Sequence, residues 1–327
     1  MMYKIQTLNN ISDVIHQSLT AERYLIAKEE PVPDGILVRS ASMHDMDLPD
    51  SLLAIARAGA GTNNIPIDRC SEAGIAVFNT PGANANAVAE LVICGLMLGS
   101  RNVAGGIDWA RTLDGQGAEV AKLVEKGKSQ FAGPEIKGKT LGIIGLGAIG
   151  ALVANAAVAL GMKVVGTDPF LSIGAALRLD PSVTVVKTQD DVFAVADYLT
   201  IHVPFNKDTE GMINAASIAK MKDGVTIINC ARGELMNIPD MIRGIETQKI
   251  GALALDVFDK EDGIYHENRR DDIISNRDMA YLRQFPNVIM TQHMAFYTDA
   301  AVQSMVFCGI EGLCDFAKTG HTETELV

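Results

Sequence analysis

The sequence contains little that is typical of secreted, metal-binding or membrane proteins. It has only five cysteines, an odd number with no CxxC pair, so neither a disulfide framework nor a metal site is predicted. No stretch reaches the roughly 18 uninterrupted apolar residues that a membrane span needs. The start, MMYKIQTLNN, lacks the charged and then apolar order of a leader. We therefore expect reduced thiols, no membrane partner and a cytoplasmic protein.

Positive charge is also scarce. There are 28 Lys and Arg residues against 40 Asp and Glu residues, a formal net charge of -12. The long-range field of such a chain repels nucleic acid and anionic membranes, so no nucleic-acid partner is expected. An anionic substrate would have to meet a local cluster of positive groups.

The composition is that of a folded protein with two domains. The chain has 327 residues, 48% hydrophobic and 21% charged, which is too apolar for a disordered polymer, and a domain usually has about 100 to 200 residues. Short β-rich runs alternate with helical ones, first YKIQTL, YLIA, GILVRS, LLAIARAG and IAVFNT, later LGIIG, MKVVGTD, VTVV, DYLTIHVP, GVTIINC, IGALALD and NVIMTQ. This alternation predicts an α/β fold with two doubly wound parallel sheets.

Two long helical segments interrupt the alternation. The first runs from about Asn84 to Arg101 and precedes a glycine-rich stretch whose structure is ambiguous. The second follows Tyr297 and has apolar residues at three and four spacing. We interpret both as crossings between the domains, with the tail helix packing back onto the first domain.

A dinucleotide site is predicted at the start of the second series. Residues 141–150, LGIIGLGAIG, contain Gly145, Gly147 and Gly150 as GxGxxG between an apolar strand and a helical run. Such glycines allow a tight turn and a close approach of the backbone to a pyrophosphate at the helix N-terminus. Asp168 ends the next strand, where a carboxylate accepts both ribose hydroxyls and repels a 2′-phosphate. The alternative is that these glycines serve packing alone. We favour a binding site for NAD.

Four polar residues follow later strands, at the edge where open α/β sheets bind ligands. They are Arg232, Asp256, Glu261 and His293. Reduction of a 2-keto acid needs a cation for the carboxylate and a proton donor at the ketone oxygen, and Arg232 and His293 have that chemistry. A carboxylate such as Glu261 would raise the pKa of a neighbouring imidazole. Taken singly, each residue also has a structural explanation, such as a surface arginine, a hydrogen-bonded histidine or a turn at Asp256.

Together these motifs resemble a known family. GLGAIG, HVPFNKDTEGMIN, MKDGVTIINCARGELMN, ALDVF with Glu261, and the His293 segment resemble the D-isomer-specific 2-hydroxyacid dehydrogenases over nearly the whole chain. The resemblance implies an NAD-dependent oxidoreductase that interconverts a small anionic D-2-hydroxy acid and its 2-keto acid. It assigns the catalytic roles to Arg232, Glu261 and His293.

The resemblance also implies the cofactor contacts and the domain plan. The expected cofactor-binding positions are Gly145, Gly147, Ala148, Ile149, Gly150, Asp168, Val203, Pro204, Thr209, Cys230, Ala231 and Asp256. A Rossmann NAD-binding domain is expected over residues 99–294, and a discontinuous flavodoxin-like substrate-binding domain over residues 1–98 and 295–327. Members are usually dimeric through the stretch after the first crossing, here about residues 101–135, so a homodimer is expected, with Trp109 as a candidate interface residue.

The resemblance gives conflicting indications about the substrate. VRSASMHD, ARAGAGTNNIPID and NTPGANANAVAEL resemble phosphoglycerate dehydrogenases, which implies substrate contacts at Arg39, Ser40, Ala60 and Gly61. The long segment after ALDVF and the HMAFYTDAAV segment instead resemble D-lactate and D-2-hydroxyisocaproate dehydrogenases, in which Phe296 and Tyr297 would form an apolar wall. We favour D-3-phosphoglycerate and 3-phosphohydroxypyruvate, because the residues that select the side chain lie mostly in the N-terminal domain.

Two other functions remain open. Co-repressors of the same family use NAD to control association, so an NAD-sensing protein without catalysis is one alternative, although no basic DNA-binding stretch is present. The other is an inactive hybrid whose two ends do not cooperate.

Overall fold

The computed structural model describes residues 2–9, 11, 13–19, 22–259 and 276–327. The chain forms two compact units. The first unit contains Met1–Ala87 and Phe296–Val327, and the second contains Val88–Ala295. The helix that was expected near residues 84–101 carries the chain from the first unit into the second.

The first unit is built on a five-stranded parallel sheet. Its strands are Tyr3–Leu8 (β1), Tyr24–Ala27 (β2), Gly35–Val38 (β3), Ala54–Arg57 (β4) and Ala76–Phe78 (β5). They pair in the order β2-β1-β3-β4-β5, which is the order of flavodoxin-like folds.

The second unit is built on a seven-stranded parallel sheet. Its strands are Thr140–Ile144 (β6), Lys163–Thr167 (β7), Thr184–Val185 (β8), Tyr198–Ile201 (β9), Val225–Asn229 (β10), Ile250–Leu255 (β11) and Val288–Met290 (β12). The order β12-β11-β10-β9-β6-β7-β8 is that of a Rossmann fold with one further strand. The predicted fold class is confirmed.

Helices connect the strands. Within the described residues they are Ile15–Ser18 (α1), Ile67–Glu72 (α2), Ala85–Ser100 (α3), Val103–Arg111 (α4), Val120–Gly127 (α5), Ala148–Ala159 (α6), Ile173–Ala176 (α7), Gln189–Val195 (α8), Ala215–Lys220 (α9), Ile238–Glu246 (α10), Arg277–Leu282 (α11) and Asp299–Thr319 (α12).

Helices cover the sheets closely. Strands β3 and β10 are buried at every position, as expected of parallel strands covered on both faces. In the second unit α3 packs on β10 and β11 through Gly95, where a Cβ would lie 3.1 Å from the Cβ of Ala254. This packing orders the sheet whose carboxyl edge carries the candidate site.

The tail helix α12 belongs to the core of the first unit. The side chain of Thr298 accepts a hydrogen bond from the N–H of Ala301 and caps the helix. Length and composition alone would let α12 cross a membrane. Its apolar residues Met305, Ile310 and Leu313 are instead buried in the same cluster as Leu37 and other strand residues.

The glycine-rich stretch that was ambiguous in sequence is helical. It contains α4 and α5, and neither helix has a buried residue. The ring of Trp109 packs on that of Phe131, with centroids 5.3 Å apart. The tryptophan therefore helps to hold this stretch together.

Candidate functional site

The glycine motif forms the turn between β6 and α6. Gly145 has a positive φ of 94°, and a Cβ there would lie 2.6 Å from the carbonyl oxygen of His202. A Cβ on Gly150 would collide with the carbonyl of Gly145, whereas at Gly147 it would meet no atom within 4 Å. No side chain caps α6. The first and third glycines are therefore needed for packing, and Gly147 leaves the helix N-terminus, with Ala148 and Ile149, open to an anion.

Asp168 connects the end of β7 to this turn. Its Oδ2 accepts a hydrogen bond from the N–H of Leu146 at 2.9 Å, and its Oδ1 accepts one from the N–H of Phe170 at 2.9 Å. The residue is half-buried. Each carboxylate oxygen can accept a further hydrogen bond, so Asp168 is fixed beside the glycine turn and remains able to bind ribose hydroxyls.

The loop after β9 carries three predicted cofactor contacts. Val203 is half-buried and Pro204 is exposed. The hydroxyl of Thr209 donates to the carbonyl of Pro204 at 2.8 Å and accepts from the N–H of Asn206 at 2.9 Å. Thr209 therefore closes the loop, and any contact with the cofactor would add to that role.

A neutral histidine begins the same loop. The Nε2 of His202 lies 3.0 Å from the hydroxyl of Thr200, and burial lowers the pKa of the imidazole to about 4. Its Nδ1 is buried and has no hydrogen-bond partner in the described part of the chain. His202 is thus uncharged at neutral pH and stands directly beside the glycine turn.

Arg232 lies in a turn that Asn229 holds. The side chain of Asn229, which is fully buried, accepts from the N–H of Ala231 at 2.9 Å and donates to the carbonyl of Arg232 at 2.8 Å. Sequence reasoning missed Asn229; the signal was a polar residue at the end of an otherwise apolar strand. Burial, helped by the Asp256 carboxylate, raises the pKa of the Cys230 thiol, which keeps the thiol protonated and disfavours a role as a nucleophile.

His293 lies in a loop that Asp256 holds. The N–H of His293 donates to the carbonyl of Asp256 at 2.7 Å. The Asp256 carboxylate, buried with 1% exposure, accepts from the Thr291 hydroxyl at 2.5 Å and from the N–H groups of Met294 and Ala295 at 2.9 and 2.8 Å. All of these contacts are with the loop after β12 that carries His293. A cofactor contact of Asp256 stays a prediction.

Hydrogen bonds join the tips of three neighbouring strands. Beyond β11 the N–H of Asp256 donates to the carbonyl of Asn229, and beyond β12 the N–H of His293 donates to the carbonyl of Asp256. The Arg232 turn and the His293 loop therefore share the carboxyl edge of one sheet. A guanidinium and an imidazole at such an edge can bind a carboxylate and transfer a proton. Glu261 lies outside the described residues.

The first unit carries the predicted substrate residues at the carboxyl edge of its own sheet. Arg39 and Ser40 follow β3, and the N–H of Ser40 donates to Oδ1 of Asn9 at 2.9 Å. The Cζ of Arg39 lies 5.7 Å from the ring centroid of Phe296 and 5.8 Å from that of Tyr297. Phe296 therefore contacts a cation, and its role beside the substrate stays a prediction.

The loop after β4 offers free backbone donors. The N–H of Gly59 is bonded to the hydroxyl of the buried Thr80 at 2.7 Å, and the side chain of Asn79 donates to the carbonyl of Ala60 at 2.7 Å. Among the described residues, the N–H groups of Ala60 and Gly61 donate no hydrogen bond. Two successive free donors fit the expected role in binding a carboxylate.

Arg57 is a residue of this edge that sequence reasoning missed. It is the last residue of β4 and pairs in register with Val38 at the end of β3. Its Nη1 donates to the carbonyl of Ala58 at 3.2 Å, and a Cβ on Gly59, where φ is 136°, would collide with the same nitrogen. Arg57 thus covers the loop with the free donors. The signal in the sequence was a cation at the end of β4, the strand that neighbours β3, which Arg39 follows.

Comparison with known proteins identifies the family. A model of the D-isomer specific 2-hydroxyacid dehydrogenase NAD binding domain matches residues 103–295. An aromatic 2-oxoacid reductase of Clostridium sporogenes is 36% identical over 84% of this chain and 78% of its own length. The chain belongs to the D-isomer-specific 2-hydroxyacid dehydrogenase family.

Other relatives of this dehydrogenase differ in substrate. A hydroxypyruvate reductase of Thermotoga maritima is 36% identical over 90% of this chain and 89% of its own length. A D-3-phosphoglycerate dehydrogenase of Synechocystis is 35% identical over 83% of this chain but only 44% of its own. A solved D-lactate dehydrogenase with NAD+ from Lactobacillus jensenii has a TM-score of 0.78 at 25% identity, covering 99% of each chain.

The dehydrogenase acts on CH–OH donors with NAD. The geometry fits this cofactor, because the turn at Gly147 is open, the N-terminus of α6 has no capping side chain, and Asp168 is fixed beside both. The glycine turn would hold the pyrophosphate and Asp168 the ribose. When bound, NAD accepts or supplies the hydride. The expectations of an enzyme and of NAD are confirmed.

Proposed function

We propose that the dehydrogenase interconverts D-3-phosphoglycerate and 3-phosphohydroxypyruvate. Arg232 binds the carboxylate and polarises the ketone, His293 gives or takes the proton at the C2 oxygen, and Glu261 assists His293. Arg39, Ser40 and the N–H groups of Ala60 and Gly61 bind the substrate.

The observation that carries this proposal is the pair of arginines in the first unit. Arg39 and Arg57 stand at the ends of two paired strands, since Val38 is in register with Arg57. A phosphorylated substrate needs several cations at one place, and the chain as a whole has a net charge of -12. Two arginines at adjacent strand ends, on the sheet edge that also carries the free N–H groups, bring positive charge to the place where the substrate would bind.

The relatives support the proposal without being decisive for the substrate. The phosphoglycerate dehydrogenase of Synechocystis and the hydroxypyruvate reductase of Thermotoga maritima both align over more than four fifths of this chain. The named substrates, 3-phosphoglycerate and hydroxypyruvate, differ by the phosphate and by the oxidation state of C2. The phosphate is therefore the group to test.

The test follows NADH oxidation with 3-phosphohydroxypyruvate, pyruvate and 2-ketoisocaproate. We expect the highest kcat/KM for 3-phosphohydroxypyruvate. A higher kcat/KM for pyruvate or 2-ketoisocaproate would remove phosphoglycerate as the substrate, and no oxidation with any of them would count against a hydroxyacid dehydrogenase of this specificity.

D-lactate or D-2-hydroxyisocaproate is the second candidate substrate. It is favoured by Phe296 and Tyr297, whose rings pack edge to face with centroids 5.6 Å apart. An aromatic wall of this kind suits an apolar side chain. Preference for 2-ketoisocaproate in the same assay would support it.

We also propose that two copies associate through α4 and α5. Neither helix has a buried residue, and Val103 and Ile107 are 40% and 51% exposed. Burial of such residues by a second copy would stabilise a homodimer. Sedimentation should give a dimer that Ile107→Glu dissociates, while the control Leu53→Glu, at an equally exposed leucine of the first unit, leaves it intact. A monomeric parent protein would exclude the dimer.

We propose the cytoplasm as its location. The five cysteines are all free thiols, as expected in a reducing compartment. Fractionation of the producing cells, with the protein recovered among soluble enzymes, is the corresponding test.

A further inference from the structure

We propose that Phe296 and Tyr297 are specificity-determining residues that make the dehydrogenase select 2-oxoacids with a second, distal anionic group. They would do so by fixing the guanidinium of Arg39 between their rings. The inference rests on the proposed function and extends it, because these two residues were expected to favour an apolar side chain. The distal group is a phosphate or a carboxylate, which share the same chemistry toward arginine.

The side chains of Arg39, Phe296 and Tyr297 form one cluster. The Cζ of Arg39 lies 5.7 Å from the centroid of Phe296 and 5.8 Å from that of Tyr297, both within the roughly 6 Å over which a cation is attracted to a ring face. The two rings are nearly perpendicular, at 83°. The guanidinium therefore occupies the corner between two aromatic rings.

Arg39 has hydrogen-bonding capacity that the described residues do not use. Its Nε is buried and has no hydrogen-bond acceptor in the described residues. No ion pair of Arg39 is formed within the same part of the chain. The N–H groups of a guanidinium point outward in its plane, and the aromatic rings offer them no strong acceptor. An anion is the partner that these in-plane donors match.

A guanidinium held in place discriminates between anionic and neutral substrates. An arginine side chain ordinarily loses conformational freedom when it binds an anion, and a side chain that is already stacked loses less. A neutral substituent at the same place would displace water from the guanidinium and offer no anionic acceptor in return, which is unfavourable. Sites built to hydrogen-bond a polar group reject analogues that lack it more strongly than apolar pockets reject an extra group.

The sheet edge that carries Arg39 in the first unit also carries other polar groups. Arg57 stands at the tip of the neighbouring strand, and Tyr297 is 60% exposed, so the corner is open to a small molecule. The free N–H groups of Ala60 and Gly61 belong to the loop that Arg57 covers. Two cations and two N–H donors at one sheet edge fit a molecule with two anionic ends.

The test compares pairs of substrates of which one member carries a distal anionic group and the other does not. One pair is 3-phosphohydroxypyruvate and hydroxypyruvate; the other is 2-oxoglutarate and 2-oxopentanoate. For each pair the ratio of kcat/KM, anionic over neutral, is measured in the parent enzyme and in Phe296→Leu, Tyr297→Leu and Tyr297→Phe. The matched control is Tyr281→Leu, at an edge-to-face aromatic pair in the second unit.

We expect the parent enzyme to prefer the anionic member of at least one pair. The leucine variants should lower that ratio by about tenfold through the KM of the anionic substrate, as the strength of a cation–π contact predicts. Tyr297→Phe keeps the ring and should keep the ratio, as should Tyr281→Leu. Thermal unfolding checks that each variant is folded.

The outcomes separate the two proposals. In one outcome the parent enzyme selects 2-oxoglutarate over 2-oxopentanoate, the leucine variants lose this selectivity, and 3-phosphohydroxypyruvate is not reduced. This outcome would support the aromatic corner and reject phosphoglycerate as the substrate. Selectivity for the phosphate that survives both leucine substitutions would overturn the corner and leave the proposed function standing. A parent enzyme that prefers the neutral member of both pairs, or prefers phenylpyruvate to every anionic substrate, would also overturn the corner.

Discussion

The N–H of His293 donates to the carbonyl of Asp256 at 2.7 Å. The same aspartate holds the residues that follow His293, because its carboxylate accepts from the N–H groups of Met294 and Ala295. His293 itself has a left-handed backbone, with φ of 51°, which is uncommon for a residue other than glycine. One buried side chain thus fixes the unusual conformation of the residue expected to move the proton.

Replacement of this carboxylate should therefore affect both stability and rate. In Asp256→Asn an amide NH2 group replaces one acceptor oxygen and faces hydrogen-bond donors. We therefore expect the free energy of unfolding to fall by roughly 1–3 kcal/mol and kcat to fall as well. Urea unfolding and steady-state kinetics measure the two effects. The control Thr291→Val removes only the hydroxyl bond to the same carboxylate and should have the smaller effect. Equal kcat in Asp256→Asn and the parent would show that the loop needs no such anchor.

Asn229 should matter for substrate binding through Arg232. Asn229→Ala deletes the acceptor for Ala231 and the donor to the Arg232 carbonyl, so the turn loosens and the KM for the oxoacid should rise about tenfold or more. The control Asn237→Ala removes a cap of α10 and should cost about 1 kcal/mol of stability without changing that KM. If both variants raise the KM alike, the effect is one of general stability.

Asp168 should decide between the two nicotinamide cofactors. Its carboxylate is fixed beside the glycine turn by Leu146 and Phe170, where it would repel a 2′-phosphate. In Asp168→Ala we expect the ratio of kcat/KM for NADH over NADPH to fall by about tenfold or more. Asp180→Ala, at an exposed aspartate of the same unit, is the control. A ratio that does not change would mean that another group excludes the phosphate.

His202 should make the fold sensitive to mild acid. Burial lowers the pKa of its imidazole to about 4 in the folded protein, against about 6.5 in the unfolded chain. Between these two pH values the unfolded chain binds a proton at His202 that the folded chain does not bind. The contribution of His202 to the free energy of unfolding is therefore fully present above about pH 6.5 and is lost as the pH falls toward 4. The free energy of unfolding should fall by up to about 1.4 kcal/mol per pH unit over this range, which amounts to about 3 kcal/mol in all.

The measurement is the free energy of unfolding in urea between pH 7.5 and 4.5. In His202→Gln the curve should be flatter over this window than in the parent, while Asp197 and other carboxylates still contribute below it. Parallel curves for the two proteins would refute a depressed pKa at His202.

Local sequence patterns predicted most of the fold and the cofactor site, because each depends on neighbouring residues. The seven strands of the second unit and the glycine turn at Gly145 are set by apolar runs, spacing and backbone conformation. The roles of Arg57 and Asn229 were not predicted, since both depend on which strands become neighbours. The contact of Arg39 with Phe296 joins segments far apart in sequence, and no local pattern reports it.

The central claim is that His293 gives or takes the proton at the C2 oxygen of the oxoacid while Arg232 binds its carboxylate. The most direct measurement is the pH profile of kcat/KM for oxoacid reduction by NADH in the parent enzyme and in His293→Ala, with NADH binding followed separately by fluorescence. We predict a loss of at least about a hundredfold in rate, a profile without the inflection of the parent, and unchanged NADH affinity. A His293→Ala enzyme that retains both the rate and the inflection would contradict the account.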